Sequence, residues 1–265
     1  QIKRFFRRLV IPTTIFDDMG FIYMGPVDGH NLTEIIQCLE YAKEEKRPVF
    51  IHVHTKKGKG YAPAESNPQK FHGISPFDKA TGETYSARFG NTLVRLAKNN
   101  KKIVAITGAM PNGTGLDEFQ EQYKDRFFDV GIAEQHGVTL SAGLATVGYT
   151  PVIPLYSSFL QRAYDQTLHD VCLQKLHVVF PIDRAGIVGA DGETHQGVYD
   201  ISYLSHMPNM TILSPATLDQ LEYMLDFAIN KFNAPIAIRY PRGGTEAENV
   251  PSAFTLRQAQ CIQNG

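Results

Sequence analysis

Glu134 stands where the run Arg126-Phe127-Phe128-Asp129-Val130-Gly131 ends a strand-like stretch and a helix-like stretch opens. That puts a carboxylate at the carboxyl end of a strand, where α/β sheets gather their ligands. Helix N-termini favour acidic residues in any case, and for a lone glutamate this plainer reading suffices. Tyr156, Phe159 and Arg162 are spaced by three, which predicts neighbouring positions on one helix side. Taken singly, Phe159 reads as core packing and Arg162 as half of a surface ion pair. His52 and His54 lie on the same side of a predicted strand, yet no third ligand follows at a metal-binding spacing. His169, His177 and His206 read as structural histidines. The sequence has no GxGxxG after a strand, no GxxxxGK[ST] loop, no GxSxG elbow and no HExxH helix, so the common nucleotide, serine-hydrolase and zinc-protease chemistries have no support.

The elements that must position these residues follow from the apolar period. Leu32, Ile35, Ile36, Leu39 and Ala42 predict a helix over 31–46, and 48–54 reads as a strand. From Lys56 to Gly82 no hydrophobic period survives and turn residues recur, so a loop and a domain boundary are placed there. Phe89, Leu93, Leu96 and Ala97 mark the next helix. Strands are predicted around 103–107, 127–131, 151–155, 177–182, 210–213 and 235–239, with helices around 134–147, 158–174 and 217–232. Short apolar strands alternating with helices imply an α/β fold, a mainly parallel sheet with helices on both faces.

Composition narrows the class. The 265 residues carry 26 basic and 27 acidic side chains, a net charge of -1, which gives no bulk electrostatic case for a nucleic-acid or membrane partner. The three cysteines, Cys38, Cys172 and Cys261, are far apart and odd in number, against both a disulfide framework and a structural zinc site. No run of about 18 apolar residues occurs, and the basic start through Arg8 lacks the pattern of a secretory signal. A reducing, cytoplasmic setting is expected, bacterial in the first instance with a plastid as the alternative.

Four motifs appear in one order: DVGIAEQH at 129–136, YSSFLQRAYDQ at 156–166, DRAGIVGADGETHQG at 183–197 and YPRG at 240–243. Upstream stand YMGPVDGHN at 23–31, KGKGYAPAE at 57–65, FHG at 71–73 and ITGAMPNGTGL at 106–116. Together they resemble the 1-deoxy-D-xylulose-5-phosphate synthases, within the transketolase-like thiamine-diphosphate enzymes, and the resemblance runs along essentially the whole sequence. It implies the end of a diphosphate-binding domain and a connecting loop over 1–82, a pyrimidine-binding domain over 83–246, and a linker with the start of a C-terminal domain over 247–265.

The resemblance also implies chemistry: decarboxylative condensation of pyruvate with D-glyceraldehyde 3-phosphate, leading toward isoprenoids and thiamine. Glu134 would hydrogen-bond the aminopyrimidine of thiamine diphosphate, Phe159 would stack on that ring beside Tyr156, and Ile132 and Tyr61 would complete the cofactor contacts, Tyr61 near the diphosphate. His72 and His195 would supply acid/base groups, because histidine titrates near operating pH. Asp191 would contact substrate hydroxyls or orient His195. Arg162 and Arg242 would hold the substrate phosphate with forked donors, and Tyr156 would join them.

One family feature is missing. The GDG motif and later asparagine that hold magnesium and the diphosphate do not occur in this sequence, so no metal ligand is assigned here and the Mg2+ ligands are expected on a separate N-terminal segment. The isolated chain is expected to be inactive and to work as a homodimer or with that complementing segment. Two other readings compete: half of a split transketolase or of a two-oxo-acid dehydrogenase beta chain, and a non-catalytic assembly module. The upstream GPVDGH and FHG argue against the first, and retention of Glu134, His72, His195, Arg162 and Arg242 together argues against the second.

Overall fold

The computed structural model describes residues 14–68, 71–72, 82–244 and 255–256. The chain divides into two units, Gln1–Asp78 and Lys79–Gly265.

In the first unit, β1 (Ile22–Asp28) and β2 (Val49–His54) pair in parallel. A parallel pair needs a crossover, and α1 (Leu32–Glu44) provides it, its first turn capped by the Asn31 side chain accepting from Glu34 N. The face predicted to turn inward stays largely open, with Leu32, Ile36 and Leu39 all exposed. Two strands offer too little surface to cover it. β1 was not expected from the sequence, because Gly25-Pro26 interrupts its apolar run and shifts the register between Met24 and Val27. The predicted 56–82 loop contains a short helix, Ala62–Ser66, begun by Pro63 in its first turn.

The second unit opens with α2 (Tyr85–Asn99), N-capped by Thr84. Then come β3 (Ile103–Thr107), β4 (Phe127–Asp129), α3 (Glu134–Thr146), β5 (Thr150–Val152), β6 (Leu155–Tyr156), β7 (Val179–Asp183), β8 (Thr211–Leu213), α4 (Leu218–Asn230) and β9 (Ile236–Arg239). The strands form one parallel sheet in the order β4-β3-β5-β7-β9-β8, with β6 alongside β7. The predicted strand over 151–155 is two strands, because Pro154 has no N–H for the ladder. The predicted helix over 158–174 is a succession of tight and wide turns from Ser157 to Cys172, the last of them a π turn.

Strand side chains alternate between the two faces. Ile103 and Ala105 of β3 join a core with Phe89 and Leu93 of α2 and Leu221 and Leu225 of α4. Val104 and Ile106 join the opposite core, with Val138 of α3 and Leu160 and Val171 of the turns. Burial on both faces explains why these strands read as unbroken apolar runs. Arg126 fixes α2 to the start of β4, donating to the carbonyls of Ala97 (3.2 Å) and Asn100 (3.0 Å) while lying 4.2 Å over the Tyr123 ring.

Candidate active site

β3 connects to β4 on one side and β4 returns to β5 on the other, so the sheet order reverses at β3. Such a reversal opens a crevice at the strand carboxyl ends. Glu134 begins α3 there, its side chain carried into the crevice by the turn after β4 and only 4% exposed as a residue. Its Oε2 has no hydrogen-bond partner among the described residues. Among the described residues, the cation paired with it is Arg162, whose Nη1 is 3.9 Å away, too far for a hydrogen bond. A buried polar atom left unpaired is costly, and this one suits a ligand carrying a ring nitrogen to share a proton with it.

Aromatic rings line the site beyond. Tyr156 and Phe159 stack with centroids 5.3 Å apart, and the His195 ring meets Phe159 edge-on at 5.4 Å. Tyr156 donates to Gly113 O at 3.3 Å, and burial pushes its phenol up. A planar ligand group has a ready wall in these rings.

A two-arginine cluster lies at the ends of β7 and β9. Arg184, in the left-handed region at φ 58°, sets its guanidinium 4.1 Å from the centre of the Tyr156 ring and pairs with Asp191. Arg242 Nη1 reaches the same carboxylate at 3.1 Å. The segment between is held as a closed loop: Gly186 and Gly197 exchange backbone hydrogen bonds at 2.7 and 2.8 Å, and a Cβ on Gly197 would collide with the Arg184 carbonyl. Gln196 ties the loop internally, accepting from Val188 N at 2.8 Å and donating to Gly192 O at 2.9 Å. Beneath, Ser86 Oγ donates to Asp183 Oδ2 at 2.6 Å, while Asp183 Oδ1 and the Tyr240 hydroxyl are buried with no hydrogen-bond partner among the described residues. Burial raises the Asp183 carboxyl to about 6, against the pull of Ser86 and Arg184.

The second unit thus brings together Glu134 and Arg162, then Tyr156, Phe159 and His195, then Arg242 and Asp191. Several expected relationships differ. Tyr156 ends β6 and is not on a helix with Phe159 and Arg162. Asp191, expected to contact substrate hydroxyls or orient His195, engages the two arginines here, and His195 Nδ1 meets Thr194 Oγ1 at 2.9 Å. Arg162 neighbours Glu134 whereas Arg242 neighbours Asp191, so the two expected phosphate ligands have different partners. Ile132 is 78% exposed in the turn before α3. Tyr61 and His72 belong to the first unit. There Tyr61 packs edge-on against Phe71 at 5.6 Å and His72 Nδ1 lies 2.9 Å from Lys57 Nζ. Arg184 and Asp183 were not singled out in the sequence. The signal was available, since Asp183-Arg184 follows an apolar strand just as the residues around Glu134 do. His52 is satisfied by the Tyr23 hydroxyl at 2.8 Å and His177 by Ala228 O at 2.7 Å, both structural. Among the described residues no three His, Cys, Asp or Glu side chains are grouped to hold a metal ion, and no helix is long and apolar enough to cross a membrane.

The family model described as transketolase, pyrimidine binding domain, matches residues 82–246, and that described as 1-deoxy-D-xylulose-5-phosphate synthase matches residues 1–55. The 1-deoxy-D-xylulose-5-phosphate synthase of Clostridium acetobutylicum is 57% identical over 94% of this chain and 41% of its own length. That of Halothermothrix orenii is 52% identical over 100% of this chain and 43% of its own. The chain therefore spans about two-fifths of the length of these relatives. Among solved structures, a split gene transketolase described as an inactive beta4 tetramer is similar at TM-score 0.61 and 30% identity, over 69% of this chain and 60% of that one. The transketolase of Campylobacter jejuni shares the fold at TM-score 0.57 and 18% identity, over 92% of this chain and 51% of that one. With a model matched over well more than half its length, and similar along nearly all of it to 1-deoxy-D-xylulose-5-phosphate synthases, the chain belongs to the transketolase pyrimidine-binding-domain family.

Proposed function

We propose that this chain is the pyrimidine-binding part, with flanking segments, of a 1-deoxy-D-xylulose-5-phosphate synthase that joins pyruvate to D-glyceraldehyde 3-phosphate with loss of carbon dioxide. The observation that carries the reading is Glu134: a buried carboxyl at the sheet's reversal point, with Oε2 unpartnered and a stacked aromatic wall in the same unit. These features fit the aminopyrimidine of thiamine diphosphate. When bound, that cofactor supplies the carbanion-stabilising centre that decarboxylation of a 2-oxo acid requires. Glu134 would hold the proton shared with the pyrimidine ring nitrogen and Phe159 would stack on that ring, backed by Tyr156; by the family resemblance alone, Ile132 and Tyr61 would add contacts.

Arg184 and Arg242, converging on one carboxylate, form the anion clamp for the substrate phosphate, with Asp191 as its resident counter-ion. Arg162, the neighbour of Glu134, serves the substrate beside the cofactor. His195 is assigned proton transfer at the substrate oxygens, and His72 the same task by the family resemblance alone. The Mg2+ that would accompany the cofactor is assigned ligands outside this sequence, and activity would require that polypeptide, in a homodimer or as a complementing segment. A bacterial cytoplasm and the three-part division at residues 82 and 246 belong to the same reading.

The test is carbon dioxide release from pyruvate plus D-glyceraldehyde 3-phosphate, with thiamine diphosphate and Mg2+, on a sample of verified intact mass. The chain alone is expected to be silent, and addition of an N-terminal segment from a relative to restore release. Release by the pure chain overturns the placement of the metal ligands, and failure of a fully assembled protein to turn over these two substrates overturns the reaction. The likeness to a split gene transketolase supports a second reading, a half-enzyme of that kind. Turnover of a ketose phosphate in place of pyruvate would favour it.

A further inference from the structure

Asp129 closes β4, and its Oδ1 accepts two backbone hydrogen bonds, from Ala109 N at 2.8 Å and from Gly131 N at 2.9 Å. The two donors belong to different turns, one leaving β3 and one leaving β4, the strands that flank one side of the reversal point. Both turns enter the left-handed region at the bonded residue, Ala109 at φ 61° and Gly131 at φ 70°. For glycine that conformation is free, but for alanine it is strained and persists only where something holds it. The turns also press on each other: a Cβ on Gly108 would lie 3.3 Å from the Gly131 carbonyl oxygen and 3.9 Å from Glu134 Cγ. The backbone that Asp129 ties down is therefore the wall against which the Glu134 side chain rests.

We propose that Asp129 is a positioning residue for Glu134, its Oδ1 clamping the turns after β3 and β4 so that the buried carboxyl is held at the depth its ligand requires. The proposal rests on the reading of Glu134 as the pyrimidine ligand. It calls for an acceptor oxygen at this place, not for a negative charge, because both partners are neutral amides.

The test measures thiamine diphosphate binding, with Mg2+, by calorimetry on the intact protein that contains this chain, together with unfolding temperature without cofactor. Asp129→Ala is expected to weaken binding about tenfold or more with little change in unfolding temperature. Asp129→Asn, which keeps an oxygen in the same position, is expected to restore binding to within about threefold of the parent. Ala109→Gly added to Asp129→Ala should recover part of the loss, since glycine needs no tie to adopt a positive φ. Parent-like binding by Asp129→Ala overturns the proposal, and so does an Asp129→Asn variant as weak as Asp129→Ala. A drop in unfolding temperature that accounts for the whole loss of binding assigns Asp129 to general stability and overturns it too. Absence of binding by the parent protein is a different result, the failure of the cofactor reading itself.

Discussion

Glu134 Oε2 and Arg162 Nη1 stand 3.9 Å apart, a buried acid and an exposed cation that approach without a hydrogen bond. The Arg162 side chain is 63% exposed, so water screens most of its influence. Among the described residues, Glu134 thus has no donor competing for Oε2. Glu134→Gln keeps the shape and removes the shared proton. Turnover by the assembled protein is expected to fall by about 10²–10⁴, the usual worth of a positioned acid/base group, while folding stability holds or rises. Steady-state carbon dioxide release and a thermal melt of the same sample check both halves.

Arg184 and Arg242 meet at Asp191, and the Arg184 guanidinium also lies 4.1 Å from the centre of the Tyr156 ring. Lysine cannot reproduce a planar fork that pairs and stacks at once. Arg184→Lys is expected to raise KM for D-glyceraldehyde 3-phosphate about tenfold, roughly 1.4 kcal/mol, and to leave KM for pyruvate within about twofold. Repeating the titration with unphosphorylated D-glyceraldehyde should abolish the difference between variant and parent. If the difference persists, the arginine does not serve the phosphate.

The alternation of apolar runs with helical periods was enough to place the sheet, because strands buried on both faces and amphipathic helices leave opposite signatures in sequence. Glu134 was legible for the same reason: its position at a strand end is a one-dimensional fact. What was hidden depends on three dimensions or on proline. Pro154 splits a predicted strand and so moves Tyr156 off the helix where a spacing of three had put it. The sharing of Asp191 by Arg184 and Arg242 joins residues 58 positions apart through the packing of β7 on β9, which no local pattern records. The exposed face of α1 reads as a core face by period alone, since periodicity reports amphipathicity but not what covers it.

Asp183 gives a pH signature. Its carboxyl is raised from the usual 3.8 to about 6 by burial, so the folded protein keeps a proton that the unfolded chain releases between these values. The stability this contributes is complete below about pH 4 and is lost as pH rises through 6. Asparagine fills the same space, still accepts from Ser86 and does not titrate. The stability of the parent relative to Asp183→Asn is therefore expected to decline by on the order of 3 kcal/mol between pH 4 and pH 7. Denaturant melts of the two proteins across that range isolate the effect, because the other carboxylates cancel in the difference. A flat difference would mean that Asp183 ionises in the folded protein at its ordinary pH.

Asp200 and Arg239 form a fork-on-fork pair, Nε to Oδ2 at 2.9 Å and Nη2 to Oδ1 at 3.2 Å, with the aspartate fully buried. The pair pins the far end of the loop that carries Asp191 and His195 to the strand that leads to Arg242. Removing one partner leaves the other charge buried and unpaired, a loss of about 3–5 kcal/mol, whereas replacing both with apolar side chains of similar volume is close to neutral. Asp200→Leu is thus expected to lower the unfolding free energy by that amount, and Asp200→Leu with Arg239→Met to return most of it. The double variant then separates stability from placement. If its stability recovers while KM for the phosphorylated substrate stays raised, the pair holds the loop in register. If KM recovers with stability, packing alone holds it and the charges contribute nothing to the site.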